Sequence, residues 1–470
     1  MTTRTTAFLL ALLALVSFAC LSPQNPDNAQ VVTRLALTLS MLDRGTLNID
    51  PWADRTVDKA AFENHFYADK VPGHPLLALP AVALAKAVFT VTGADLDITK
   101  PEVFSRYAWW ATVGTNGLLS ALAVAALFTT ALRLGAGKPG ALFGAIVLGF
   151  GSPFFGWSTA FFAHTVSASL LLFAFALVLR DPAFEPPQTA SPTRPLVGAL
   201  GLGLLLGLIV IVDLTSAPMA VVTGLVALFP NRRHGGSHFR RQLAGMVLGG
   251  LLGVLPLLIY NWLIFGSPFK LGYSSVVGFE GMQQGFFGIT VPNPAVALEL
   301  VFGSYRGLVP LAPVLLLVPF GWFRMARTPP TRLALTVVLA AASIYLWINS
   351  SYVYWNGGWS TGPRHLVPML PFLALALCFT WPATPGGKAA AVLLLGVSLA
   401  MSAMGASVTM FTPEDFRNPI ADELWPRFIG EARWVRALPL LPVWGVLLLM
   451  LFRADRILVM WRRRIVVEPV

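Results

Sequence analysis

The sequence predicts an all-α, polytopic membrane helix bundle with about twelve transmembrane spans and interfacial helices in its first outer loop. Of the 470 residues, 56% are hydrophobic and mean hydropathy is +0.70, far above a soluble chain. Apolar runs repeatedly approach the roughly 20 residues that cross a bilayer. Basic residues sit in short connectors at alternate ends of those runs, so the net charge of +11 reports orientation rather than a nucleic-acid partner.

The first span is expected at 7–22. Arg4 followed by Ala7 to Leu21 also resembles a secretory signal, and Ser17-Phe18-Ala19-Cys20 loosely matches a lipoprotein cleavage box; an uncleaved span is the expectation. Residues 23–105 then form a first periplasmic loop. Within it Val31, Leu35, Leu39 and Leu42 recur at helical spacing before Asp43-Arg44-Gly45, which predicts an interfacial helix over 28–42. Leu76 to Val91 is apolar, but counting it as a span would move every later basic connector outside, so it is assigned as a second interfacial helix.

The remaining spans are 107–132, 140–156, 162–179, 196–212, 216–230, 243–262, 307–323, 333–348, 366–381, 389–406 and 437–452. With Arg4 inside, Arg133/Lys138, Arg180/Arg194, Arg232/Arg233/Arg240/Arg241, Arg324/Arg327/Arg332, Lys388 and the tail from Arg453 to Arg464 share one cytoplasmic side with both termini. A second long periplasmic loop covers 263–306. No repeat or long linker divides the chain, so 1–470 reads as a single integral membrane domain. Cys20 and Cys378 lie in apolar segments and read as buried small hydrophobes, and no zinc pattern, phosphate-binding glycine loop or nucleophile elbow occurs.

The unusual residues collect on the outer side. The first loop carries His65-Phe66-Tyr67-Ala68-Asp69-Lys70-Val71-Pro72-Gly73-His74-Pro75, many acids, bases and aromatics for a chain only 12% charged, which marks a site at the membrane surface. An early acid after the first span, a surface helix with Arg, and a Lys-Pro-Pro-like segment opening another surface helix are carried by Asp27, Arg34, Gly45, Tyr67, Lys70, Pro72 and Pro75. With Asn261-Trp262-Leu263-Ile264-Phe265-Gly266-Ser267-Pro268, Gly272-Tyr273 and Gly358-Trp359-Ser360-Thr361-Gly362-Pro363-Arg364-His365, the chain resembles the GT-C glycosyltransferases that use polyprenyl-phosphate sugars, such as protein O-mannosyltransferases and the aminoarabinose transferase of lipid A. It departs from them in having Asn28 where a second acid is usual and Lys70-Val71-Pro72-Gly73 for Lys-Pro-Pro.

The resemblance implies an inverting transferase that moves a sugar from a polyprenyl-phosphate donor to a glycan, lipid or protein acceptor at the outer face of a bacterial inner membrane. Its partners would be membrane lipid and the lipid-linked donor, with no nucleic acid, no metal ligands assigned and a divalent metal left open. Such transfer needs a carboxylate to take the acceptor proton and cations to hold the departing phosphate. Asp27 is the first choice for the base and Asp58 and Asp69 are its rivals, although Asp27 could equally cap the helix that starts at Asn28. Arg34, Lys70 and Arg364 are the phosphate candidates, with snorkelling to lipid or an ion pair with Asp69 as the plain alternative for Lys70. Tyr67, His164, Tyr273 and His365 complete the expected substrate pocket, with a hydrogen-bonded structural histidine an equal reading of His164. A lipid or oligosaccharide transporter or flippase is the competing class, and a membrane acyltransferase or polymer ligase a third.

Overall fold

The computed structural model describes residues 1–179, 194–228 and 236–467. Helix α1 (Thr3–Leu21) leads into a surface segment that holds α2 (Ala29–Leu39), a two-stranded hairpin β1 (Lys59–Phe62) and β2 (His65–Ala68), and α3 (Gly73–Thr92). Helices α4 (Pro101–Ala111) and α5 (Leu118–Arg133) join through a π-helical turn at 112–117. The bundle continues through α6 (Lys138–Phe150), α7 (Pro153–Ser158), α8 (Ala163–Val178), α9 (Arg194–Val212), α10 (Ala217–Leu228) and α11 (Gly236–Phe265). After α12 (Pro294–Phe302) come α13 (Leu308–Leu311), α14 (Val318–Arg327), α15 (Arg332–Ser350), α16 (Leu370–Leu377), α17 (Pro385–Val408), α18 (Trp425–Gly430) and α19 (Leu440–Val467).

This is a polytopic membrane helix bundle. Among the described residues six helices are long and apolar enough to cross a membrane, and five shorter apolar helices accompany them. Each of the expected spans has a helical counterpart, but three are interrupted. The run at 307–323 breaks into α13, a 3-10 turn at 313–317 and α14 because Pro310, Pro313 and Pro319 remove helix donors; the freed Val314 N–H donates to Ser398 Oγ at 3.0 Å. Gly151-Ser152-Pro153 separates α6 from α7, and 366–381 opens with a 3-10 turn around Pro368. Of the expected basic connectors, Arg180, Arg232 and Arg233 lie outside the described residues. Cys378 is buried, but Cys20 is exposed: its face of the apolar helix α1 has no protein packed over it.

The hairpin departs from an all-helical reading. Its turn, Glu63-Asn64, has φ of 48° and 62°, the left-handed pair of a two-residue primed turn whose twist suits antiparallel strands. Asn48 pairs with Tyr67 and Ala60 with Val276, so the second outer segment is stitched to the first.

Both segments expected to lie at the interface are helical, as α2 and α3. Asn28, rather than Asp27, caps α2 by accepting from Gln30 N at 3.0 Å. The 20 residues of α3 satisfy the length of a span, so its packing is more informative. Trp109 Nε1 donates to the carbonyl of Ala19 at 3.1 Å, which sets α4 residues 101–108 beyond the end of α1, and α3 lies against that overhang with Phe89 on Tyr107. At its start His74 Nε2 meets Asn116 Oδ1 at 2.9 Å, and Asn116 Nδ2 donates to Thr165 Oγ1 at 3.0 Å. The π-turn thereby locks α3 to α8.

Small residues permit a close helix crossing, α9 against α11. A Cβ on Gly203 would lie 2.1 Å from the Met246 carbonyl oxygen and one on Gly249 2.1 Å from that of Leu200. Without a hydrophobic drive between helices in lipid, such backbone approach supplies dispersion contacts. Gly249→Val should therefore lower stability by about 1–3 kcal/mol, whereas Gly198→Ala, which meets nothing within 4 Å, should be neutral. Thermal unfolding in detergent separates the two, and equal melting temperatures would refute the packing argument.

Candidate active site

The hairpin register builds the centre of the site. Lys59 pairs with Ala68, so Asp58 just before β1 and Asp69 just after β2 are brought side by side against Lys70. The Lys70 ammonium lies 2.5 Å from Asp69 Oδ2 and 3.8 Å from Asp58 Oδ1, with the ring of Tyr273 at 5.7 Å. Asp69 is buried and its Oδ1 has no hydrogen-bond partner among the described residues. Burial raises the Asp69 carboxyl above its ordinary range; the Lys70 charge opposes this and Asp58 adds to it. For Lys70, burial works to lower the ammonium, but Asp69 and Asp58 outweigh it and hold it above the usual lysine value. Burial pushes the Tyr273 hydroxyl up to about 12.

Two guanidinium groups flank Phe162, Arg34 from α2 and Arg364 from the turn before α16, each 5.3 Å from the ring centre. Arg34 is anchored by Nη1 donating to the Gln30 carbonyl at 3.0 Å and to Gln30 Oε1 at 2.8 Å. Burial lowers its pKa and Asp69 partly offsets this. The buried Nε of Arg364 has no hydrogen-bond partner among the described residues, and Asp58 is the principal negative charge acting on the group. A buried guanidinium lacking a bonded carboxylate is poised for an anion. Gly357 makes room for it: at φ of 75° the residue favours glycine, and a Cβ there would sit 3.1 Å from Arg364 Nε.

Arg306, fully buried, holds the 356–358 turn in place through Nε to the Asn356 carbonyl at 2.9 Å and Nη2 to the Gly358 carbonyl at 3.0 Å.

These residues border two cavities. The outer one, about 600 Å³, is lined by Asp27, Asp54, Asp58, Asp69 and Glu414 among others. The inner one, about 360 Å³, is lined by Arg34, His164, Asp213 and His365 together with apolar groups such as Val71, Leu214, Phe287 and Ile289. Gln30, Lys70, Tyr273, Met282, Tyr352 and Arg364 line both. Five acids thus face the outer chamber, the histidines and Asp213 the inner one, with two cations on the shared wall.

Most of the expected site residues converge here. Asp27 does so from the rim: its side chain is 65% exposed and pairs with Arg55 at 2.8 Å. Tyr67 lines neither cavity; its ring turns to His65 and Phe265. His164 Nδ1 lies 3.3 Å from Asp213 Oδ2, and Asp213 also accepts from Thr215 N, Thr215 Oγ1 and Ser167 Oγ. His365 stands edge-on to His164 at 5.1 Å, its Nε2 buried without a hydrogen-bond partner among the described residues. Sequence reasoning did not single out Gln30, Met282, Tyr352, Glu414 or Arg306; the Tyr-Val-Tyr-Trp run at 352–355 was the available signal for Tyr352. Among the described residues no group of three or more His, Cys, Asp or Glu side chains is arranged to hold a metal ion.

The fold defined by these elements is similar to that of solved structures at low sequence identity. It matches ArnT from Cupriavidus metallidurans bound to undecaprenyl phosphate with a TM-score of 0.56 at 17% identity, over 97% of this chain and 76% of that one. The apo state of ArnT matches with a TM-score of 0.54 at 17% identity, over 96% and 75%. No protein-family model and no curated protein matches the sequence.

Lys70→Met should cost about 3–5 kcal/mol at pH 8 by leaving Asp69 an uncompensated buried charge. The loss should shrink toward pH 5, since a carboxyl whose pKa is raised on folding binds its proton more tightly in the folded state, so stability increases as pH falls through that value. Adding Asp69→Asn should restore most of it at pH 8. Unfolding measured at both pH values checks this; a pH-independent loss would contradict it.

Proposed function

We propose that the protein is an inverting glycosyltransferase that moves a sugar from a polyprenyl-phosphate donor to an acceptor hydroxyl at the outer face of a bacterial inner membrane, with both termini cytoplasmic. The observation that carries this reading is the pair of cavities meeting at Lys70 and Arg364, with Asp58 and Asp69 beside the cations on the outer side and the inner carboxylate, Asp213, engaged by His164, Ser167 and Thr215. The similarly folded ArnT was solved bound to undecaprenyl phosphate, which supports a lipid phosphate as the ligand here.

The donor phosphate sits between Lys70 and Arg364, with Arg34 behind it, and the polyprenyl chain follows the apolar lining of the inner cavity. The acceptor enters the outer cavity. Asp58 is the favoured base: it is buried, it faces both cations, and unlike Asp69 it is not bonded tightly to Lys70. Asp69 orients the ammonium, and Asp27 at the rim contributes to acceptor entry. In the reaction Asp58 takes the acceptor proton as the hydroxyl oxygen bonds to the anomeric carbon. The bond from that carbon to the phosphate oxygen breaks, its electron pair leaves with the phosphate, and the three cations stabilise the charge. Attack opposite the leaving group inverts the anomeric centre. Tyr273 and Tyr352 close the wall between the chambers.

Transfer of radiolabelled sugar from a panel of polyprenyl-phosphate sugars by protein in lipid tests the proposal. Asp58→Asn should lower transfer at least about 100-fold while leaving donor binding intact, Asp27→Asn less than about tenfold, and Arg364→Lys should weaken donor binding because a lysine cannot reproduce the planar fork. If Asp27→Asn and not Asp58→Asn abolishes transfer, the base assignment moves to the rim. Absence of both transfer and donor-lipid binding would favour transport over transfer.

A further inference from the structure

A second chamber opens beside the outer cavity. It measures about 380 Å³ and is lined by Asn25, Thr409, Glu423, Arg427 and Arg436, with Trp359 between the two; Asn25 and Trp359 line both cavities. Each volume alone is in the range of about 300–1,000 Å³ usual for a small-ligand site, so together they form an elongated trough whose waist is one indole.

That indole is held firmly yet left open. Ser360 N donates to the Thr412 carbonyl and Thr361 N to that of Met410, each at 2.9 Å, while Arg306 Nη2 holds the Gly358 carbonyl at 3.0 Å. The backbone is clamped on both sides of Trp359, whose side chain remains 54% exposed.

The polar lining supplies donors and acceptors. Arg427 Nη1 pairs with Glu423 Oε1 at 2.6 Å, fixing the carboxylate. Arg436 donates through Nη1 to the Ser407 carbonyl at 3.1 Å and forms no ion pair among the described residues, which leaves most of its donors for a ligand. A flat apolar face beside fixed amide, carboxylate and guanidinium groups suits a pyranose ring, which presents a C–H face for the indole and hydroxyls for the polar rim. A lipid tail would desolvate the charges without replacing their hydrogen bonds.

We propose that the acceptor is a glycan of at least two sugar units that lies across Trp359. Its reacting unit occupies the outer cavity and the next unit the second chamber, against Arg436 and the Glu423–Arg427 pair. This rests on the assignment of the outer cavity to the acceptor and narrows the acceptor to one chemical class.

The test is binding of the purified full-length protein in nanodiscs to immobilised oligosaccharides of one to six units, in glucose, mannose and N-acetylglucosamine series, with and without undecaprenyl phosphate. In at least one series affinity should rise about tenfold from the monosaccharide to the disaccharide, the scale of one stacking contact. Trp359→Ala should remove that gain, Trp359→Phe should retain most of it, and Arg436→Gln should weaken glycans of two or more units but not the monosaccharide. Trp262→Ala, an exposed indole bordering neither chamber, should change nothing. Length-independent binding, a gain that survives Trp359→Ala, capture of peptides in place of glycans on a parallel array, or no glycan bound in either lipid condition would each overturn the proposal. Failure of the underlying transfer reading is seen separately, as loss of undecaprenyl phosphate binding.

Discussion

The ammonium of Lys70 between the Asp58 and Asp69 carboxylates is the interaction on which the site depends. Two buried acids this close could not both remain ionised without a cation, and a lone buried ammonium would lose its proton or draw in water. Each charge justifies the others, and the hairpin register is what delivers them to one place. The pair is also asymmetric, Asp69 lying 2.5 Å from the Lys70 ammonium and Asp58 3.8 Å from it.

From that cluster the remaining architecture can be read as support. The second outer segment joins the hairpin through Val276 and joins the 349–357 segment through Ile289 and Tyr352, so three stretches far apart in sequence form one cover. Arg306 and Gly357 shape the turn that admits Arg364. A preorganised arrangement of this kind costs no rearrangement when charge develops on a departing group, and this is where electrostatic stabilisation is most effective.

Below the site the bundle solves a different problem. Close approach at Gly203 and Gly249, the π-turn that carries Asn116, and the Ser398 hydroxyl that serves the proline-broken run all satisfy backbone groups or bring helices together where lipid offers neither hydrogen bonds nor hydrophobic drive.

Much of this was legible in the amino-acid sequence. Hydropathy determined the membrane bundle and the approximate position of its apolar helices, because a bilayer demands long apolar runs whatever the tertiary arrangement. Helical spacing located α2, and the density of ionisable residues before α3 located Asp69 and Lys70. The breaks at Ser152-Pro153, Pro313 and Pro368 were also written in the prolines, although continuous hydropathy masked them. Other features were not legible. Neither the solvent position of Asp27 nor the inward turn of Asp58 has a local signature: both are acids in a polar loop, and the difference lies in Arg55 meeting one and Lys70 the other. Tyr67 looked like a pocket residue, but its ring packs toward Phe265 instead. The convergence of Arg34 and Arg364 on Phe162, and the division into chambers on either side of Lys70, were decided by tertiary structure alone, because burial and charge pairing are set by residues hundreds of positions apart that meet only when the helices pack.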